Sequence, residues 1–311
     1  MSEPTQRHLP PIAPADVEFR AMRLSDIERG LQLCRLAGWD QVQRDWERFV
    51  SDENATVSVA IYPKTQSPSS SSSDFQAARQ IIGTVATIRY GAEFGWIGML
   101  LVHPDLQGRG VGPVLLGHGT SELADVSSIR LDATPAGHIL YRKHGFVDEF
   151  PLRRMEATSV IIDGSRDVSI EPLKRAGLLD VMAFDRQAFG APRDDVLAWM
   201  LEGAPEYGFI TRRSGQVAGY VLGRHGYEFD HLGPIVTADP SLAVELARAC
   251  LAVSPGTAFV IDSASDADEW RSFLERAGFH EQRPYIRMYR GDKPTFSSRG
   301  QQFAILGPEF G

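Results

Sequence analysis

Along the first half of the chain, residues 55–62 alternate in the period-two pattern of a strand, and residues 17–22, 81–90 and 96–102 also read as strands. Between the first two, residues 24–36 carry Ile27, Leu31 and Cys34 at helical spacing behind a capping Ser25, and residues 39–50 read as a second short helix. A glycine-rich turn then opens a helix over about residues 110–125, followed by a strand at 129–133, a helix at 136–144 and an extended run at 146–157. The order β, α, α, β, β, β, α, β, α, β predicts a mixed sheet flanked by helices, an α+β arrangement.

Residues 1–15 hold prolines and little apolar character and are expected to form a flexible tail. The Ser/Pro/Gln stretch at 67–73 can bury nothing, which predicts a disordered loop over 64–79. The expected domains are 16–158 and 168–291, joined by a linker at 159–167 and followed by a tail at 292–311.

The two parts look like a diverged repeat. Leu131 and Asp132 precede a helix bearing Leu140 and Tyr141, then Gly145 and Phe146, then a strand ending Arg153, Arg154, Met155. In the second part Ile261 and Asp262 precede Phe273 and Leu274, then Gly278 and Phe279, then Ile286, Arg287, Met288. In both, a helix ends on the glycine that suits a left-handed cap and Phe starts the next strand.

A length of 311 residues with 43% hydrophobic and 23% charged residues supports two domains and a sizeable core. No apolar run reaches the roughly 18 residues a membrane helix needs, and the polar start lacks a signal peptide's apolar stretch, so a cytoplasmic protein is expected. The net charge of −8 disfavours nucleic acid and suits a cationic amine. Cys34 and Cys250 read as buried thiols, and the eight histidines show no metal-ligand spacing.

The informative chemistry lies at 97–119, where an apolar strand runs through His103 and Pro104 into Gln107, Gly108, Arg109, Gly110, Val111, Gly112 and then a helix. Glycines let backbone N–H groups converge without Cβ interference, and a helix start adds partial positive charge, which together make an anion cradle. Pro113 fits an early helical position, where its missing N–H has no partner to lose. The dinucleotide fingerprint fails, because its third glycine position is Pro113 or Leu115, and the Gly-Lys-Ser/Thr of triphosphate loops is absent.

This segment resembles the GNAT superfamily of acyl-CoA N-acyltransferases, whose loop reads Gln/Arg-x-x-Gly-x-Gly/Ala: Gln107, Gly110 and Gly112 match it. Leu101, Val102, His103, Pro104 and Asp105 match the family's strand end, and Leu140, Tyr141, Lys143, Gly145 and Phe146 its later motif. Ala37, Gly38 and Trp39, residues 131–135, and Phe184, Asp185, Phe189 and Gly190 are similar to a tandem subgroup. The resemblance spans residues 17–291.

It implies two GNAT-like domains, each a mixed, mostly antiparallel sheet flanked by helices, and direct transfer of an acetyl group from acetyl-CoA to a primary amine in a ternary complex. The backbone of Leu101 and Val102 would pair with pantetheine, and Gly108, Arg109, Gly110, Val111 and Gly112 would hold the pyrophosphate. Tyr141 stands where the family places its general acid. Glu93 is a base candidate through a water, with His103, Asp132 and His138 as others. Trp39, Trp46 and Asp132 are candidates for the acceptor pocket. The second half has Thr237, Ala238, Asp239 and Pro240 in place of the glycine loop, and Leu274 in place of Tyr141. It is therefore expected not to bind CoA, but to wall the acceptor site or form a homodimer surface, where Arg224, His225, Asp230 and His231 are polar candidates. A small-molecule amine is favoured over a protein lysine. A non-catalytic acyl-CoA sensor or scaffold is the alternative class, and O-acylation stays open.

Overall fold

The computed structural model describes residues 11–62, 80–162, 169–293 and 298–311. The loop expected at 64–79 and most of the linker expected at 159–167 lie outside them. The described chain divides into two compact units, residues 1–87 with 99–124, and residues 88–98 with 125–311.

In the first unit, β1 (Glu18–Ala21) pairs antiparallel with β2 (Ala55–Tyr62), from Glu18↔Ile61 to Ala21↔Ser58. Beside β2 run β3 (Gln80–Tyr90) and β4 (Phe94–Val102), both of which continue into the second unit. Helices α1 (Ile27–Leu36) and α2 (Gln43–Ser51) pack where Gly30 meets Trp46 and Met22, and Trp46 is fully buried. Trp46 is thus a core residue, closed to an acceptor. Helix α3 (Val111–Glu122) sets Leu115 against Gly83, and its His118 stacks on Phe19 with ring centroids 4.1 Å apart. The N-terminal tail is shorter than expected: Ile12 is buried, and its N–H donates to the Arg109 carbonyl at 2.8 Å.

The second unit contains β5 (Ser128–Ala133), α4 (Pro135–Lys143), β6 (Val147–Ala157), β7 (Ile170–Pro172), α5 (Leu178–Phe189), α6 (Asp194–Gly203) and β8 (Phe209–Arg213). It continues through β9 (Gln216–Arg224), β10 (Asp230–Thr237), α7 (Pro240–Leu251), β11 (Phe259–Ser263), α8 (Asp268–Arg276), β12 (His280–Gly291) and β13 (Gln302–Ala304). Its strands lie in the order β5-β12-β6-β11-β13-β10-β9-β8-β7, mostly antiparallel.

That order is an exchange between the repeats. Strand β12, last of the second repeat, lies between β5 and β6 of the first, with Arg287 opposite Asp132. Strand β6 of the first repeat borders β11 of the second, with Arg154 opposite Asp262. Each swapped strand buries apolar residues in its new place, Met288 and Tyr285 from β12 and Leu152 and Ala157 from β6. At roughly 1.5–3 kcal/mol for each large side chain, this burial ties the repeats together along their whole shared edge. Residues expected as a C-terminal tail are also built in: β13 is a sheet strand, and Phe303, Ile305, Leu306 and Phe310 are buried. Their alternation with polar residues is too short to register as a strand in the sequence.

Candidate functional site

In the first unit the loop after β4 is fixed at both ends. Leu106 is buried in a 3₁₀ turn (Pro104–Leu106), and Val111, Leu115 and Leu116 anchor α3. The His103 ring accepts from the Asp105 N–H at 3.4 Å as cap of that turn, and burial lowers its pKa. The Gln107 amide donates to the Val102 carbonyl at 3.3 Å, closing the loop on the strand that precedes it.

Between these anchors Gly108 (φ 72°) and Gly110 (φ 91°) take left-handed conformations that other residues adopt at a cost of roughly 1–2 kcal/mol. Space is not the reason for the first glycine, since a Cβ on Gly108 would meet nothing within 4 Å; dihedral angle is. Among the described residues, the N–H groups of Gly108, Gly110, Val111 and Gly112 donate to no protein acceptor. Four undischarged amides at a helix start, on an exposed turn, suit a diphosphate and fit the acyl-CoA group that the motif implies. One residue of β4 also has positive φ: Met99, at 49°, breaks the strand's regularity just before Leu101 and Val102. The Thr84 hydroxyl holds it by donating to the Met99 carbonyl at 2.8 Å. Trp39 follows α1, half-buried, with its N–H on the Cys34 carbonyl at 2.8 Å.

The remaining candidates lie in the second unit. Tyr141, on α4, is half-buried beside Phe146, and burial pushes its pKa up to about 12. Among the described residues its hydroxyl has no hydrogen-bond partner. On the same helix His138 is bound to Asp148 at 2.8 Å. Glu93 sits in the turn between β3 and β4, its carboxylate over Gly91 and 3.9 Å from the Arg186 guanidinium. Asp132 differs from the expected acceptor contact. Its carboxylate has no accessible surface and takes two hydrogen bonds from Arg287, each 2.8 Å. An inward-pointing position on a central strand, opposite an arginine, leaves it nothing to offer a ligand.

Sequence reading missed the counterpart of that pair. Arg154 holds Asp262 through bonds of 2.8 and 2.7 Å, and His231 lies against the same carboxylate at 3.1 Å. The repeat had set Asp132 beside Asp262 and Arg154 beside Arg287; only the strand exchange shows that each aspartate binds the other repeat's arginine. The rest of the polar set suggested for the acceptor is likewise engaged by other side chains, with His225 at an exposed position. Arg224 is paired with Glu309, and Asp230 takes the Tyr207 hydroxyl at 2.5 Å and lies 3.0 Å from His225. A cavity of about 20 Å³ beside Arg130, Glu149 and Arg287 has room for a single water.

The second repeat's strand-to-helix turn is discharged from within. Asp239 caps α7, accepting from the Ser241 N–H at 3.0 Å and hydroxyl at 2.7 Å, and pairs with Arg213 at 2.8 Å. The Ser241 hydrogen bond, with Arg213, holds the carboxyl below its usual value, so a negative charge already occupies that helix start. Leu274, at the position of Tyr141, is buried in the core.

Fold and turn together define an acyl-CoA-dependent transferase architecture. Two family models of the same description, "Acetyltransferase (GNAT) domain", match residues 72–148 and 181–304. The chain belongs to the GNAT acetyltransferase family, with two GNAT domains in tandem, and is a GNAT-type acyltransferase. It is 27% identical to holothin acyltransferase of Pseudoalteromonas sp. (strain SANK 73390) over 74% of this chain and 78% of that one. It is 25% identical to the uncharacterized N-acetyltransferase YitH of Bacillus subtilis (strain 168) over 69% and 76%. Among solved structures, a putative acetyltransferase from Pyrococcus horikoshii superposes with TM-score 0.73 at 19% identity, covering 97% of this chain and 99% of that one. A tandem GNAT protein from the clavulanic acid biosynthesis pathway superposes with TM-score 0.59 at 14% identity, covering 90% and 99%. These structures share the fold. No helix among the described residues is long and apolar enough to cross a membrane, and no group of three or more His, Cys, Asp or Glu among them is placed to hold a metal ion.

Proposed function

We propose that the protein transfers an acetyl group from acetyl-CoA to the primary amine of a small cytoplasmic molecule, both substrates being bound together. The observation that carries this reading is the turn before α3, whose open amides at Gly108, Gly110, Val111 and Gly112 suit the CoA diphosphate. Arg109 adds charge beside them, and the backbone of Leu101 and Val102 takes the pantetheine arm, turned by Met99. The likeness to a named acyltransferase supports acyl transfer, and the net charge of −8 suits a cationic acceptor.

Glu93, in its open turn, takes a proton from the acceptor ammonium through a water. The amine then attacks the thioester carbon, the C–S bond breaks, and the CoA sulfur leaves with the electron pair. Tyr141 donates its hydroxyl proton to that thiolate, and the resulting tyrosinate takes up the second proton that the acylated nitrogen sheds. A phenol raised to about 12 stays protonated throughout the physiological range, so the donor is always loaded. Burial that penalises the phenolate penalises a thiolate in the same surroundings, which keeps the two within reach of proton exchange.

Thiol release from acetyl-CoA is to be measured against a panel of primary amines, with Tyr141→Phe alongside. The expected result is release with at least one amine, kcat about 100-fold lower in Tyr141→Phe, and KM for acetyl-CoA little changed. Acetyl-CoA binding with no thiol release from any amine or hydroxyl acceptor overturns the reading in favour of a sensor. Release with hydroxyl acceptors alone moves the acceptor class to alcohols.

A further inference from the structure

The repeats share a short parallel contact. Strand β4 meets β5 through Gly95↔Ile129 and Trp96↔Arg130, and β10 meets β11 through Asp230↔Phe259 and His231↔Val260. Two residues past Arg130 and Val260 stand the twin aspartates, Asp132 and Asp262. Strand β10 and helix α7 are therefore the counterparts of β4 and α3.

Past His231, β10 and β11 separate and another strand enters. Strand β13 pairs with β10 through Ile235↔Ala304 and Val236↔Gln302, and with β11 through Ser263↔Ala304. The Ile305 N–H donates to the Asp262 carbonyl and the Ala264 N–H to the Phe303 carbonyl, both at 3.0 Å. Gly233 (φ 155°) comes so close to the Ile305 carbonyl oxygen that a Cβ there would collide with it. An extended chain of amides thus fills the wedge and satisfies strand edges on both sides.

We propose that residues 302–306 are a permanent occupant of the second repeat's pantetheine slot, so that the protein holds one acyl-CoA and its own backbone shuts out a second. The proposal rests on the reading of the first repeat as the acyl-CoA site, where pantetheine pairs with β4 beyond the same two-residue contact. The occupant is tied down further along. Trp96 Nε1 donates to the Pro308 carbonyl at 3.0 Å, the Tyr90 hydroxyl to the Phe310 carbonyl at 2.5 Å, and Arg193 to the Gly311 carbonyl at 2.9 Å. Arg224 pairs with Glu309. Asp239 completes the closure at α7, with a carboxylate where a diphosphate would need bare amides.

The test uses the full chain, with acetyl-CoA titrated by calorimetry and amide hydrogen exchange followed by mass spectrometry. One equivalent is expected to bind, slowing exchange over 107–112, while 302–306 exchanges among the slowest segments with or without acetyl-CoA. Two equivalents, or faster exchange of 302–306 on adding acetyl-CoA, overturns the occupied slot and leaves the proposed function standing. No binding sinks the proposed function and this inference with it. The variant Ile305→Pro removes the N–H given to Asp262 and is expected to speed exchange of 302–306 at least tenfold. Pantetheine, which needs no diphosphate cradle, should then bind as a second equivalent. A loosened segment that admits no second pantetheine overturns the proposal, and if the variant does not fold the wild-type measurements decide it.

Discussion

The two repeats agree where they hold each other and differ where one of them would hold a ligand. Asp132 and Asp262 occupy matching strand positions, and each is bound through two hydrogen bonds by an arginine from the other repeat's last strand. At the strand-to-helix turns that follow β4 and β10 the likeness ends. The turn before α3 has two left-handed glycines and open amides, whereas the turn before α7 has a carboxylate that fills its own helix start. Buried ion pairs are costly to break, so they persist in both copies; an anion cradle that binds nothing is discharged by a side chain.

The twin pairs are not equal, and this gives the largest expected effect. Asp262 takes a third contact, from His231. Burial alone would raise its pKa, but Arg154 and His231 together hold it far below the usual 3.8. Among the described residues Asp132 is hydrogen-bonded by Arg287 alone, and burial outweighs both Arg287 and the nearby Arg130, leaving its pKa raised. Because the folded value of Asp262 is depressed, its contribution to stability is present above its unfolded value of about 3.9 and is lost as pH falls below that. Asp132 has the opposite sign: its contribution shrinks as pH rises from there through its raised folded value. Asp262→Asn should therefore cost about 3–5 kcal/mol at pH 7, and Asp132→Asn only about 1–3 kcal/mol. Urea unfolding at pH 7 and pH 4 checks it: the gap between the variants should narrow at the lower pH. Equal costs at pH 7 would show that His231 adds nothing.

The next effect separates the two turns directly. Gly110→Val puts a β-branched residue at φ 91° and a side chain beside the open amides, while its Cβ has space, with only the Ile12 carbonyl oxygen at 3.6 Å. Acetyl-CoA affinity should fall at least 100-fold, about 2.8 kcal/mol, with the melting temperature lowered by only a few degrees. Calorimetry showing unchanged affinity would mean that the amides of this turn do not carry the diphosphate.

Much of this could be read from the residues. Strand and helix positions in the first repeat follow period-two and period-3.6 patterns, and the glycine turn stands out because Gly108 and Gly110 free the backbone for left-handed angles while Pro113 fixes φ at a helix start. The internal repeat was visible as matched Asp, Gly-Phe and Arg-Met positions. What the residues do not encode locally is partner choice across the sheet. A β12 that pairs with β5 and β6 has the same alternation as one that stays with its own repeat, because register depends on which edges are free. Asp132 differs from the expected acceptor contact for this reason: an aspartate at a strand end looks available until the opposing arginine arrives from 155 residues away. Within the tail expected at 292–311, the three residues of β13 are too few to show a period.

The smallest effect bears on the turn before α7. If Asp239 serves there as a cap and not as the remnant of a ligand site, Asp239→Ala loses its bonds from Ser241 and the pair with Arg213, and should cost about 1 kcal/mol. Arg213 is well exposed, so solvent screening leaves that pair little weight beyond the cap itself. The variant also bares the start of α7 while leaving β13 between β10 and β11. Should acetyl-CoA stoichiometry rise above one in Asp239→Ala, the carboxylate alone was excluding the second ligand; a stoichiometry held at one, with a melting temperature a few degrees lower, assigns the exclusion to the strand that fills the slot.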